Sequence, residues 1–162
     1  MRMFMLISIN KPHTDNIFSY IKGLEWRKKP LPEGLYYVYE TKNKGGCGMV
    51  IGEMRITGSL AVDTSGPMEV CLVNSGCVHP VTLKKYANNG IVYANFIQDI
   101  RRYDVPKPLN KFYKECAGLD NTGMCYECEY AVGEECDCAV NGRLHLTRPP
   151  QSWCYVEELK DG

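Results

Sequence analysis

The sequence predicts an α+β fold: a small, partly open, mixed β-barrel with flanking helices and a late cysteine-rich insertion. Three observations carry this. Short β-branched and aromatic segments recur, divided by glycine and proline turns. Two helical patterns intervene, near residues 12–22 and 80–88. Five of the nine cysteines crowd between Cys116 and Cys138. At 162 residues the chain suits one domain over 1–162, with residues 116–143 as an inserted appendage.

Met3 to Ile9 is apolar on both faces and reads as a central strand. Pro12 suits a first helical turn, and Ile17, Ile21 and Leu24 recur at helical spacing. Gly23 suits the residue past the helix end, where positive φ is often needed. Lys22 then falls at the helix C-terminus, where the dipole favours a cation. After Gly23 the period changes to 2, so Glu25 and Arg27 share a face and Trp26 points to the core. Pro30, Pro32 and Gly34 mark a turn, and Leu35 to Tyr39 reads as a strand.

Gly48 to Val62 reads as one or two strands, with Glu53 and Arg55 as a same-face ion pair. Met68 to Val73 fits a short helix or a strand. Pro80 to Asn88 is a helix stopped by Asn89-Gly90, with His79 before it as a cap or packing residue. Ile91 to Ile100 reads as a strand, and Pro106 and Pro108 break the chain. Leu109 to Cys116 suits a short helical turn. Pro149-Pro150 stiffens the approach to a last strand, Ser152 to Leu159. That strand is expected to close the sheet against an early one, with Trp153 and Tyr155 on one face.

Hydrophobic residues make up 44% and charged residues 23%, an ordinary globular composition. Lys+Arg and Asp+Glu are 19 each, so the net charge is zero, which excludes a generally basic nucleic-acid coat. A local basic patch remains, at Arg27 to Lys29. The apolar stretch Met1 to Asn10 lacks a small-residue cleavage site and reads as a strand, not a signal peptide. No run reaches the roughly 18 apolar residues of a membrane helix. A cytoplasmic protein is expected, without membrane contact.

Lys22, Glu25 and Arg27 are the candidate binding residues. Taken alone, Glu25 and Arg27 are better read as a surface ion pair on a strand edge. As a site, Arg27 offers a planar fork for phosphate or a base edge, and Lys22 a point charge. Glu25 can accept from an exocyclic amine or hold Arg27. Trp26, Tyr36, Tyr37 and Tyr39 could stack bases, although aromatics in strands are more often core.

Cys125-x-x-Cys128 and Cys136-x-Cys138 are two close pairs with Cys116 upstream. Four thiolates bind zinc tetrahedrally. A structural Zn2+ held by Cys125, Cys128, Cys136 and Cys138 would make the insertion a zinc knuckle. Disulfides or free thiols are the alternative, and Cys116 can replace one member. An odd cysteine count without an export signal speaks against a disulfide framework. Cys47, Cys71, Cys77 and Cys154 read as small buried hydrophobes or bystanders.

Three pieces together resemble the ASCH domain of the PUA-like barrel superfamily. The first is the strand and helix leading into Lys22-x-x-Glu25-x-Arg27, in register with the family pattern Gly-x-Lys-x-x-Glu-x-Arg. The second is Val50-Ile51-Gly52-Glu53. The third is Leu146-Thr147-Arg148-Pro149-Pro150-Gln151-Ser152-Trp153-Cys154-Tyr155-Val156, similar to the ending of phage and Gram-positive bacterial members. The pattern's glycine falls on Tyr20, a departure. The resemblance implies a cleft at the barrel mouth lined by the motif, with RNA or a modified nucleoside as ligand. Some members are amidohydrolases that deacetylate acetylated cytidine with the motif lysine, which would make Lys22 catalytic. Those enzymes have threonine where this chain has Glu25.

Three functions follow, in order. The first is a module that binds RNA, a nucleotide or a nucleoside. The second is a nucleoside amidohydrolase or ribonuclease using Lys22. The third is an adaptor whose zinc knuckle contacts a protein partner.

Overall fold

Six strands form one mixed sheet, and their residues show why. β1 (Phe4–Ile9) and β3 (Gly34–Glu40) lie side by side in parallel and are buried on both faces. Met5, Ile7, Tyr36 and Val38 enter one core cluster, and Leu6, Tyr37 and Tyr39 another. Between these strands come α1 (His13–Phe18) and β2 (Leu24–Arg27). β4 (Met49–Asp63) pairs antiparallel with β3, and β5 (Ile91–Lys107) with β4. α2 (Val70–Gly76) and α3 (Pro80–Tyr86) connect β4 to β5. A third cluster, containing Leu24, Trp26, Leu83 and Val92, joins α3 to β2 and β5. This computed structural model describes residues 3–114 and 145–160, and the backbone alone of 124–125 and 134–135.

Those last two pieces are β6 (Met124–Cys125) and β7 (Glu134–Glu135), an antiparallel pair with Met124 opposite Glu135. Cys116, Cys128, Cys136 and Cys138 lie outside the described residues. β8 (Trp153–Tyr155) pairs antiparallel with β1, so the last strand does meet an early one. The Trp153 and Tyr155 rings touch edge to face at 5.0 Å. The order is β2-β5-β4-β3-β1-β8. The class is α+β, as expected, but the sheet is open and not a closed barrel, with β2 and β8 as its edges.

Several local expectations differ. α1 ends at Phe18, and Ile21 is 63% exposed and not part of an apolar stripe. The residue with positive φ is Tyr20 (φ 61°), not Gly23. Gly23 is needed for closeness: a Cβ there would sit 2.8 Å from Ser75 Oγ, and its N–H donates to the Ser75 carbonyl at 2.9 Å. Of residues 68–73, Val70 to Val73 form the start of α2, and Glu69 before them is extended. β5 runs through Pro106 to Lys107. Its ladder with β4 jumps from Gly52–Arg102 to Val50–Lys107, and that irregular stretch accommodates a residue without an N–H. Glu53 pairs with Arg101 at 3.1 Å and Arg55 with Asp99 at 3.5 Å, not with each other. Among the described residues, no helix is long and apolar enough to cross a membrane.

Candidate functional site

The chain after α1 reverses at Tyr20, which adopts a left-handed conformation at φ 61°. The Asn16 carbonyl accepts the N–H groups of both Ile21 and Lys22 at 2.9 Å. This turn sends Lys22 inward, where it is 1% exposed. Burying a charge demands partners. Lys22 Nζ donates to the Gly76 carbonyl at 2.5 Å and lies 3.5 Å from Glu25 Oε2. That carbonyl belongs to the last residue of α2, which packs so closely on Trp26 that a Cβ on Gly76 would collide with Trp26 Nε1.

The alternation of β2 puts Glu25 and Arg27 on one face, as expected. Glu25 Oε1 lies 3.3 Å from Arg27 Nε, an ion pair not aligned as a hydrogen bond. The terminal nitrogens of Arg27 reach across the open seam. Nη1 donates to Ser152 Oγ at 3.1 Å and Nη2 to the Ser8 carbonyl at 3.0 Å. The Ser8 hydroxyl donates in turn to the Pro150 carbonyl at 2.7 Å. Arg27 therefore bridges by side chain two edges that no ladder joins.

Lys22, Glu25 and Arg27 converge on one cavity of about 630 Å³ at this seam. Its other walls are the end of β1, His13 of α1, Thr41 and Asn43 after β3, α3 with Tyr86, and Pro149 to Gln151. Lys28 Nζ stands 5.1 Å from the ring centre of Tyr86, a lining residue, and so brings a third cation near the cavity.

Trp26 lines this cavity, but Tyr36, Tyr37 and Tyr39 do not; they are buried in the core. His79 caps α3, its Nδ1 accepting the Val81 N–H at 3.2 Å. Sequence reasoning passed over His13 and Tyr86. Tyr86 carried a weak signal, a helix-end aromatic after two lysines. His13 carried none. Burial, then the charge of Lys22, hold the His13 imidazole below its ordinary pKa, with Lys44 and Arg27 adding to this and Glu25 opposing.

Among the described residues no group of histidine, cysteine and carboxylate side chains is set to hold a metal. Cys125 is described by its backbone alone.

No protein-family model matches the chain, and no curated protein matches it. Solved structures do. ASCH from Zymomonas mobilis superposes with a TM-score of 0.63 at 17% identity, covering 98% of this chain and 90% of that one. Two point-mutant forms of that protein give TM-scores of 0.62, one at 17% identity over 97% and 90% of the two chains, the other at 16% over 97% and 92%. With superposition at these TM-scores over nearly the whole length, the chain has the fold of the ASCH domain.

Proposed function

We propose that the chain binds a nucleobase-bearing ligand at the seam cavity through Lys22, Glu25 and Arg27. RNA is the first choice, and a nucleotide or modified nucleoside the second. One observation carries this reading. Four buried side-chain polar atoms among the described residues make no hydrogen bond: His13 Nδ1, Trp26 Nε1, which packs against Gly76, and Glu25 Oε2 and Arg27 Nε, which have ion-pair partners only, at 3.5 Å and 3.3 Å. All four residues line this cavity. Buried polar atoms are normally satisfied, and leaving one unmet costs about 1–3 kcal/mol. A ligand that supplies partners recovers part of that.

Glu25 Oε2 is an acceptor suited to an exocyclic amine. Arg27 acts largely by holding Glu25 and the seam, since both its terminal nitrogens already serve protein acceptors. The likeness in fold to an ASCH protein supports nucleic-acid binding at a coarse level. The test is binding of short RNA oligomers across a salt series. Affinity should fall steeply with salt where phosphates are contacted, and Glu25→Ala should abolish binding. Salt-independent binding that Glu25→Ala leaves intact would move the site elsewhere.

An amidohydrolase or ribonuclease is the second reading, favoured by an amine buried against a cavity carboxylate. Hydrolysis of acetylated cytidine, lost in Lys22→Ala, would establish it. For the insertion we propose a structural Zn2+ on Cys125, Cys128, Cys136 and Cys138. The spacing of the two close cysteine pairs supports this. Elemental analysis after chelator-free purification should find about one zinc per chain. Less than about half an equivalent removes the metal, and with it the adaptor function that would use a zinc knuckle.

A further inference from the structure

We propose that His13 is a ligand-reading residue of the cavity, its neutral imidazole bonding the polar edge of a bound nucleobase. This rests on the nucleobase reading above and adds to it a residue outside the Lys-x-x-Glu-x-Arg motif.

The first observation is placement. His13 comes from α1, not from β2, yet it lines the same cavity as Lys22 and Glu25. The second is an unmet valence. Its Nδ1 is closed off from solvent and has no hydrogen-bond partner among the described residues. His79 shows the contrast: there Nδ1 accepts a backbone N–H and closes a helix end. A histidine that only packs has no need to leave a buried nitrogen unpaired beside a hollow.

The third observation is chemical. Glu25 can only accept, and Lys22 and Arg27 can only donate. A neutral imidazole has one donor and one acceptor, so it is the cluster member able to take either role toward a base edge. The charged groups around it are Lys22, Glu25 and Arg27 from the motif and Lys44 from the loop after β3. On its own element, Asp15 is paired with Lys11 at 3.6 Å. Burial and the three cations hold the ring neutral near pH 7, with Glu25 working the other way. Protonation would add a cation beside Lys22 and turn both ring nitrogens into donors. Binding that needs the neutral ring is full at and above the ordinary histidine value of about 6.5 and weakens only as pH falls through this ring's lowered value.

The probes are the four ribonucleoside 5′-monophosphates and a short RNA oligomer, titrated by calorimetry into the full chain at about pH 7.5 and about pH 5.5. These two arms separate a free nucleotide from a base within a strand. His13→Phe keeps a ring without nitrogens, and His13→Asn keeps a short polar group should the Phe variant fail to fold. At the higher pH each is expected to bind the preferred probe about tenfold more weakly than wild type. The acidic loss of affinity should shrink in both. In the wild type the His13 ring signals should shift on adding probe. If the wild type binds and Glu25→Ala does not, while both His13 variants keep wild-type affinity and pH profile, His13 is overturned and the site stands. If no probe binds the wild type, the nucleobase reading falls and takes His13 with it.

Discussion

The guanidinium of Arg27 donates across 3.0 Å to the carbonyl of Ser8, so one side chain ties edge strand β2 to β1 across the open seam. Arg27→Ala should therefore lower folding stability as well as ligand affinity. Loss of charge-assisted bonds to Ser8 and Ser152 is expected to cost about 2 kcal/mol in urea unfolding. Arg27→Lys should recover less than half of this, because an ammonium lacks the planar fork that reaches two acceptors at once. An Arg27→Ala variant as stable as wild type would mean that the seam is held elsewhere.

Lys22 and Glu25 should behave as a coupled pair. Lys22→Met leaves a buried carboxylate facing only Arg27, and about 3 kcal/mol of destabilisation is expected. Glu25→Gln made in that background should cost much less than it does alone. The double-mutant cycle measures this directly, and additive effects would deny the coupling.

Tyr20 is 76% exposed and sits at φ 61°. Tyr20→Gly removes the strain of a side chain in the left-handed region and loses little packing. A gain of about 1 kcal/mol in unfolding free energy is expected. A loss of similar size would mean that the Tyr20 side chain makes contacts that outweigh the strain.

Glu40 is buried, and burial works against its charge. The Thr14 hydroxyl at 2.6 Å and the Cys47 amide at 3.0 Å outweigh burial and hold the carboxyl below its ordinary value of 4.5. Its folded pKa is thus below its unfolded one. The carboxylate contributes stability that is present above about pH 4.5 and lost as pH falls through the folded value. In acid unfolding, Glu40→Gln should be less stable than wild type at neutral pH and should show a shallower loss below pH 4.5. Parallel curves would remove Glu40 from the acid response.

Much of the fold is legible in the residues because burial on both faces leaves a compositional trace. Phe4 to Ile9 and Leu35 to Tyr39 announce themselves, and Pro149-Pro150 marks where the last strand enters. The alternation of Glu25, Trp26 and Arg27 places two charges on one face. The rest depends on contacts remote in sequence. Nothing near Lys22 points to the Gly76 carbonyl that anchors it. A tyrosine at positive φ has no local cue, so Gly23 is the natural but mistaken candidate. Pro106 stays in β5 because a slipped ladder leaves it unpaired, and slippage is a property of two strands together. His13 matters only once the hollow beside it exists.

The oxygen that anchors the buried lysine belongs to a residue with no side chain at all, and Trp26 leaves no room to give it one. An alanine exchange, which elsewhere truncates a side chain, here inserts the one methyl group that Trp26 excludes. Position 76 would therefore tolerate no exchange in a mutational landscape, and for recognition its constraint would match that of the charged motif itself.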